Sequence, residues 1–104
     1  MRENNLFYNR LLEQVRLRNT SINQIERELG YPRNALHNYK LGREPSATRL
    51  VELANYFDVS PQYLIGENNE IPERSLEIFF KKLSIKDKKE ILRISVLWFL
   101  KQIK

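Results

Sequence analysis

Cysteine is absent from the 104 residues. That excludes a disulfide framework, a thiolate metal site and a thiol nucleophile, and it fits a reducing compartment. Histidine occurs once, at His37, so a histidine metal cluster cannot form within one chain, and no Ser-His-Asp arrangement is evident. Glycine is confined to Gly30, Gly42 and Gly66, which are spaced as helix stops rather than gathered into a phosphate-binding loop. Long apolar runs are also missing. The most apolar segment, residues 91–103, is shorter than the roughly 20 residues that span a bilayer, and it contains Arg93 and Lys101. The opening MRENNLFYNR lacks the apolar core of a signal peptide. The expectation is a cytoplasmic protein without catalytic residues, metal or cofactor. Glu67, Glu70 and Glu73, the nearest thing to an acid/base set, fall in a stretch without periodicity and read as a solvated loop.

Charge is present but modest, +5 from 18 basic and 13 acidic residues. Its distribution says more. Residues 16–43 hold Arg16, Arg18, Arg27, Arg33, Lys40 and Arg43 against only Glu26 and Glu28, a local surplus that suits a polyanionic partner.

Apolar residues recur at helical spacing from Leu6 or Phe7 through Leu11, Leu12 and Val15, after two candidate caps, Asn4 and Asn5. This first helix should end near Asn19. Ser21 with Gln24 forms a capping box ahead of Ile22, Ile25 and Leu29, and Gly30 ends the helix. Pro32 suits the first position of a third helix, over residues 32–40, closed by Gly42. Ser46 caps a fourth with Leu50, Leu53, Ala54 and Phe57 on one face, and Ser60, Pro61 and Gly66 punctuate a short fifth. ENNEIPE, residues 67–73, reads as a linker between a domain over 1–66 and a helical segment over 74–104. In that segment Leu76, Phe79, Phe80 and Leu83 outline one amphipathic helix, and Ser84 with Asp87 caps a last one. No useful alternating strand pattern occurs, so the expected fold is all-α.

Residues 33–40, placed at about 100° per residue, put Ala35, Leu36 and Tyr39 on the buried side. Arg33, Asn34, His37 and Asn38 face outward. Arg pairs bidentately with guanine and Asn with adenine, and Asn is a poor helix former, so two Asn on this face point to recognition. Asn34 also lies where it can serve as a cap. Two short helices joined at Gly30 make a helix-turn-helix, whose second member enters the major groove.

SINQIERELG, YPRNALHNYKLG, EPSATRLVELANYFDVS and PQYLIG, in that order and spacing, resemble the phage-repressor and Cro family of helix-turn-helix regulators, the xenobiotic-response-element family. The resemblance covers residues 6–66. It implies a five-helix, lambda-repressor-like DNA-binding domain that acts as a homodimer on an operator. By position, Arg33, Asn34 and Asn38 would read bases, and Ser21, Arg43 and Ser46 would hold phosphates; His37 on the same outward face joins the base-reading set, and Asn23 and Lys40 join the phosphate set through the departures that follow. Ile22 stands where many members have Gln, leaving that contact to Asn23 or Ser21. Glu26 stands where many have a small residue. It needs a basic or N–H partner, and reads as a structural bond ahead of a contact to cytosine. Val15 and Lys40 replace an internal Arg–Glu pair, which frees Lys40 to face DNA. The resemblance also covers larger repressors with a self-cleaving domain; the 38 residues after Gly66 are too few for one, so release would fall to an antirepressor or other regulatory protein, a ligand, or dilution of the dimer.

The last helix points apolar side chains in nearly every direction, among them Ile91, Ile94, Leu97, Trp98 and Phe99. Such a helix is expected only where it is buried. A C-terminal dimerisation tail meets that requirement, consistent with an inverted-repeat operator of double-stranded DNA; an intrachain hairpin is the alternative. The expected function is therefore a homodimeric transcriptional repressor. Its rivals are an antitoxin-like module that binds a protein through the tail, and general nucleic-acid or RNA binding, which the modest charge and the lack of a stacking face disfavour.

Overall fold

The computed structural model describes residues 5–103. Among them it holds seven helices and no strand. Most helix starts are chemically marked. Asn5 accepts the N–H of Tyr8 to open α1 (Leu6–Leu17); Asn4, the other candidate cap, lies outside the described residues. Ser21 Oγ accepts the Gln24 N–H at 3.1 Å to open α2 (Ile22–Leu29), which ends at Gly30 with φ +73°. The reciprocal half of the capping box is not made. Gln24 Nε2 donates to Glu28 at 2.8 Å and Gln24 Oε1 accepts from Arg27 at 2.8 Å, so the side chain runs along the helix instead of back to its start.

The third helix departs from the continuous run expected over residues 32–40. Only α3 (His37–Lys40) is helical. Residues 33–36 are turns, and Asn34 has φ +66°, a left-handed conformation incompatible with the interior of a right-handed helix. The physical reason lies in Glu26. This side chain is 3% exposed, and it accepts the Asn34 N–H on Oε1 at 3.1 Å and the Leu36 N–H on Oε2 at 2.9 Å. A buried carboxylate is costly unless hydrogen-bonded, and the bent backbone supplies both donors. Even angular steps therefore describe the chain from His37 onward, and not Arg33 or Asn34.

Ser46 and Ser60 cap α4 (Ala47–Phe57) and α5 (Pro61–Ile65), and left-handed Asp58 and Gly66 end them. The core draws Phe7, Leu11 and Val15 from α1, Ile25 from α2, Leu36 and Tyr39 from the third segment, Leu53, Ala54 and Phe57 from α4, and Tyr63 and Leu64 from α5. Phe7 and Tyr39 meet edge to face, ring centres 5.1 Å apart. Full burial of such side chains contributes about 1.5–3 kcal/mol each. Among the described residues, none beyond Leu64 belongs to this core.

After Gly66, Arg10 fastens the chain. It stacks 4.6 Å from the Tyr63 ring and donates to Asn68 O at 2.8 Å and to Asn69 Oδ1 at 3.0 Å. α6 (Glu73–Lys82) begins at the last residue of the expected linker. Its docking inverts the expected amphipathic orientation. The buried residue is Ser75, whose Oγ accepts from Gln14 Nε2 of α1 at 3.0 Å, and Lys82 donates to Leu17 O; Leu76, Phe79 and Phe80 are exposed. α7 (Ile85–Ile103) follows Ser84, which accepts the Asp87 N–H at 3.1 Å, and it buries no residue. No α7 residue belongs to the five-helix core, and Lys88 Nζ lies 5.6 Å from the Phe80 ring of α6.

Candidate nucleic-acid interface

α2 and α4 each direct a serine-capped N-terminus outward. Ser21 Oγ and Ser46 Oγ each accept one backbone N–H, which leaves each hydroxyl hydrogen to donate. Unpaired N–H groups and the helix dipole favour an anion at such ends. Both serines are exposed, as are Asn23, Lys40 and Arg43, the other residues expected to meet phosphates.

The four expected base-reading residues are exposed as well, but on two kinds of backbone. Arg33 and Asn34 sit in the Glu26-braced turn, whereas His37 and Asn38 lie on α3. Leu36 and Tyr39 hold the opposite side of this segment in the core. Asn23, Arg27, Tyr31 and Arg33 border one open cleft with Glu26 in its wall. A second cleft joins Arg43 and Glu44 to Pro45 and Ala47 at the start of α4, with Asn5, Leu6 and Phe7 opposite. Ser21, Asn34, His37, Asn38, Lys40 and Ser46 border neither cleft.

Arg27 and Arg49 are additions to this set. Arg27 belongs to the basic surplus of residues 16–43, and Arg49 follows the Ser46 cap by three residues, which is the signal that could have found them. Arg49 lies 3.8 Å over the Tyr31 ring and reaches the Tyr39 hydroxyl at 3.5 Å. Tyr31 in turn donates to Glu52 Oε1 at 2.6 Å. Burial first, and the Glu52 carboxylate second, push the Tyr31 phenol well above its ordinary range. A parallel link joins Tyr56 to Glu28, which raises that phenol and lowers that carboxyl through the shared hydrogen bond. Together these bonds tie the turn after α2 and the end of α2 to α4.

Among the described residues no group of three His, Asp or Glu side chains is placed to hold a metal ion, and no helix is long and apolar enough to cross a membrane. Ile91, Ile94, Leu97, Trp98 and Phe99, expected at a dimer contact, are all exposed on α7. No curated protein and no solved structure matched this chain. A family model described as a helix-turn-helix domain matches residues 8–70, spanning α1 to α5 and the capped, basic surface built on them, and the chain belongs to that helix-turn-helix family, whose domain points to DNA binding and transcription regulation.

Proposed function

We propose that this chain is a cytoplasmic, homodimeric repressor that binds an inverted-repeat operator and silences phage, plasmid or stress genes by occupying their promoters. The Cro-like resemblance supplies the repressor reading, with an antirepressor or other regulatory protein as the means of release. Base edges fall to Arg33, Asn34, His37 and Asn38; phosphates fall to Ser21, Asn23, Lys40, Arg43 and Ser46.

The observation that supports dimerisation most directly is α7. Thirteen large apolar side chains of α6 and α7 are 39–68% exposed. At ~150 Å² per fully exposed side chain they present roughly 1,000 Å² in all directions together, of which one partner covers only the part facing it; a standard interface takes about 800 Å² per partner. A second copy supplies a matching apolar helix by symmetry. Ile91, Ile94, Leu97, Trp98 and Phe99 are the residues proposed for that contact.

Sedimentation of the intact chain and of one ending at residue 84 tests this. The intact chain should be dimeric at tens of micromolar and the shortened one monomeric, with much weaker operator binding through loss of linked sites. Duplexes selected from random DNA should carry inverted half-sites with centres about 10 base pairs, roughly 34 Å, apart or a multiple of that. A monomeric intact chain that binds a heterologous protein through α7 would replace this reading with the antitoxin-like one.

A further inference from the structure

The residue that closes α3 is one that the hydrogen-bonding set leaves out. Leu41 is 73% exposed, the most exposed of the large apolar side chains among the described residues. Its backbone stays close to helical, with φ −83° and ψ 3°, and its N–H reaches Asn38 O at 3.2 Å. Direction follows from that continuity. Taking Leu36 as zero and about 100° per residue, Tyr39 falls near 300° and Leu36 near 0°, so the buried direction is about 330°. Leu41 falls near 140°, almost opposite, between His37 near 100° and Asn38 near 200°. A tighter helix of about 120° per residue still puts Leu41 with Asn38 and away from the core. The C-terminal end of the face is therefore an isobutyl group that points in a direction between His37 and Asn38, with Lys40 and Arg43 close in sequence.

Single exposed leucines are ordinary on protein surfaces. This one is unusual in its setting, at the C-terminal end of a basic, otherwise polar face. In the major groove one base presents an apolar group to such a side chain: thymine, through its C5-methyl. We infer that Leu41 reads the C5-methyl of a thymine lying beside the base edges met by His37 and Asn38. This rests on the proposed DNA-binding function and adds to it a specificity element that discriminates by apolar contact.

The test uses the full chain and the duplex selected from random DNA. Each thymine in one half-site is replaced singly by deoxyuridine, which deletes the methyl and leaves every hydrogen-bonding group in place. Wild type should lose about fourfold at one thymine, the equivalent of one buried methylene-sized group, and little elsewhere. Leu41→Ala should bind thymine and deoxyuridine duplexes equally at that position, while Leu41→Met, which keeps an apolar chain of similar reach, should retain most of the difference. Lys40→Ala should weaken both duplexes alike and preserve their ratio. A flat deoxyuridine scan for wild type, or a Leu41→Ala protein that keeps the same ratio as wild type, overturns the inference while leaving DNA binding intact. Failure to enrich any duplex would instead overturn the DNA-binding reading, and this inference with it.

Discussion

Glu26 offers the sharpest test of how the recognition segment is built. Its two carboxylate oxygens accept the N–H groups of Asn34 and Leu36 at 3.1 and 2.9 Å, and the side chain is 3% exposed. Hydrogen bonds to a charged group contribute about 1.5–3 kcal/mol each, and an orphaned buried N–H costs about 1–3 kcal/mol. Glu26→Ala orphans the Leu36 N–H, which has no route to water because Leu36 is fully buried; the Asn34 N–H, on an exposed residue, can rehydrate. The loss should be about 2–4 kcal/mol, out of ~5–15 kcal/mol for a typical domain. Glu26→Gln keeps one acceptor oxygen but turns an NH₂ toward the other donor, so it should cost about 2 kcal/mol. Urea unfolding followed by circular dichroism measures both. Deleting an anion beside the basic cleft would by itself strengthen binding to random DNA, whereas loosening the turn should lower the ratio of operator to random binding. Stability within about 0.5 kcal/mol of wild type for Glu26→Ala would refute the brace, since surface substitutions commonly fall in that range.

Three further outcomes are expected. Arg33→Ala or Asn38→Ala should cost roughly 1–3 kcal/mol on the selected operator and relax one base position, whereas Arg43→Ala should weaken all sequences alike and reduce the salt slope by about 1; equal losses on operator and random DNA would remove Arg33 and Asn38 from the base-reading set. Gly66→Ala should destabilise more than Gly30→Ala: both have positive φ, but a Cβ at Gly66 would lie 2.2 Å from Leu6 Cδ2 and one at Gly30 meets nothing within 4 Å. Thermal melts should show about 1–3 kcal/mol for the first and about 1 kcal/mol for the second. The raised Tyr31 phenol means that the folded chain holds this proton more tightly than the unfolded one. Its contribution is complete below about pH 10, the unfolded-chain pKa, and is lost as pH rises past it, so Tyr31→Phe should flatten the decline in stability measured by urea unfolding between pH 9 and 11.

Caps were legible because each is a local bond between neighbours: Ser21, Ser46, Ser60 and Ser84 accept the N–H three residues on, and a reading of spacing finds them without tertiary information. The bend at residues 33–36 was not legible, although its agent was. The need of Glu26 for an N–H partner followed from its place beside Ile22 and Leu29, but which donors would answer depended on where α2 rests against the next segment. Once Asn34 and Leu36 answered, a pattern that reads as helix from Pro32 could not remain one. α6 misled for a related reason. Its apolar stripe of Leu76, Phe79 and Phe80 is a sound amphipathic signal, and periodicity ranks an apolar stripe above a lone serine as the buried side. A buried amide reverses that order here: Gln14 on α1 needs a partner, Ser75 supplies it, and Arg18 completes the set by donating to Gln14 Oε1 and, at 2.5 Å, to Phe57 O. With those polar atoms satisfied inside the chain, Leu76 and Phe79 only border an open cleft with Leu17 and Tyr63, and with Phe80 they stay about half exposed. Ser75→Leu removes the hydroxyl that pairs with Gln14 and should loosen α6 from α1; under the proposed dimerisation, sedimentation should then show altered self-association with α7 untouched, and an unchanged association constant would refute a link between this seam and the apolar tail.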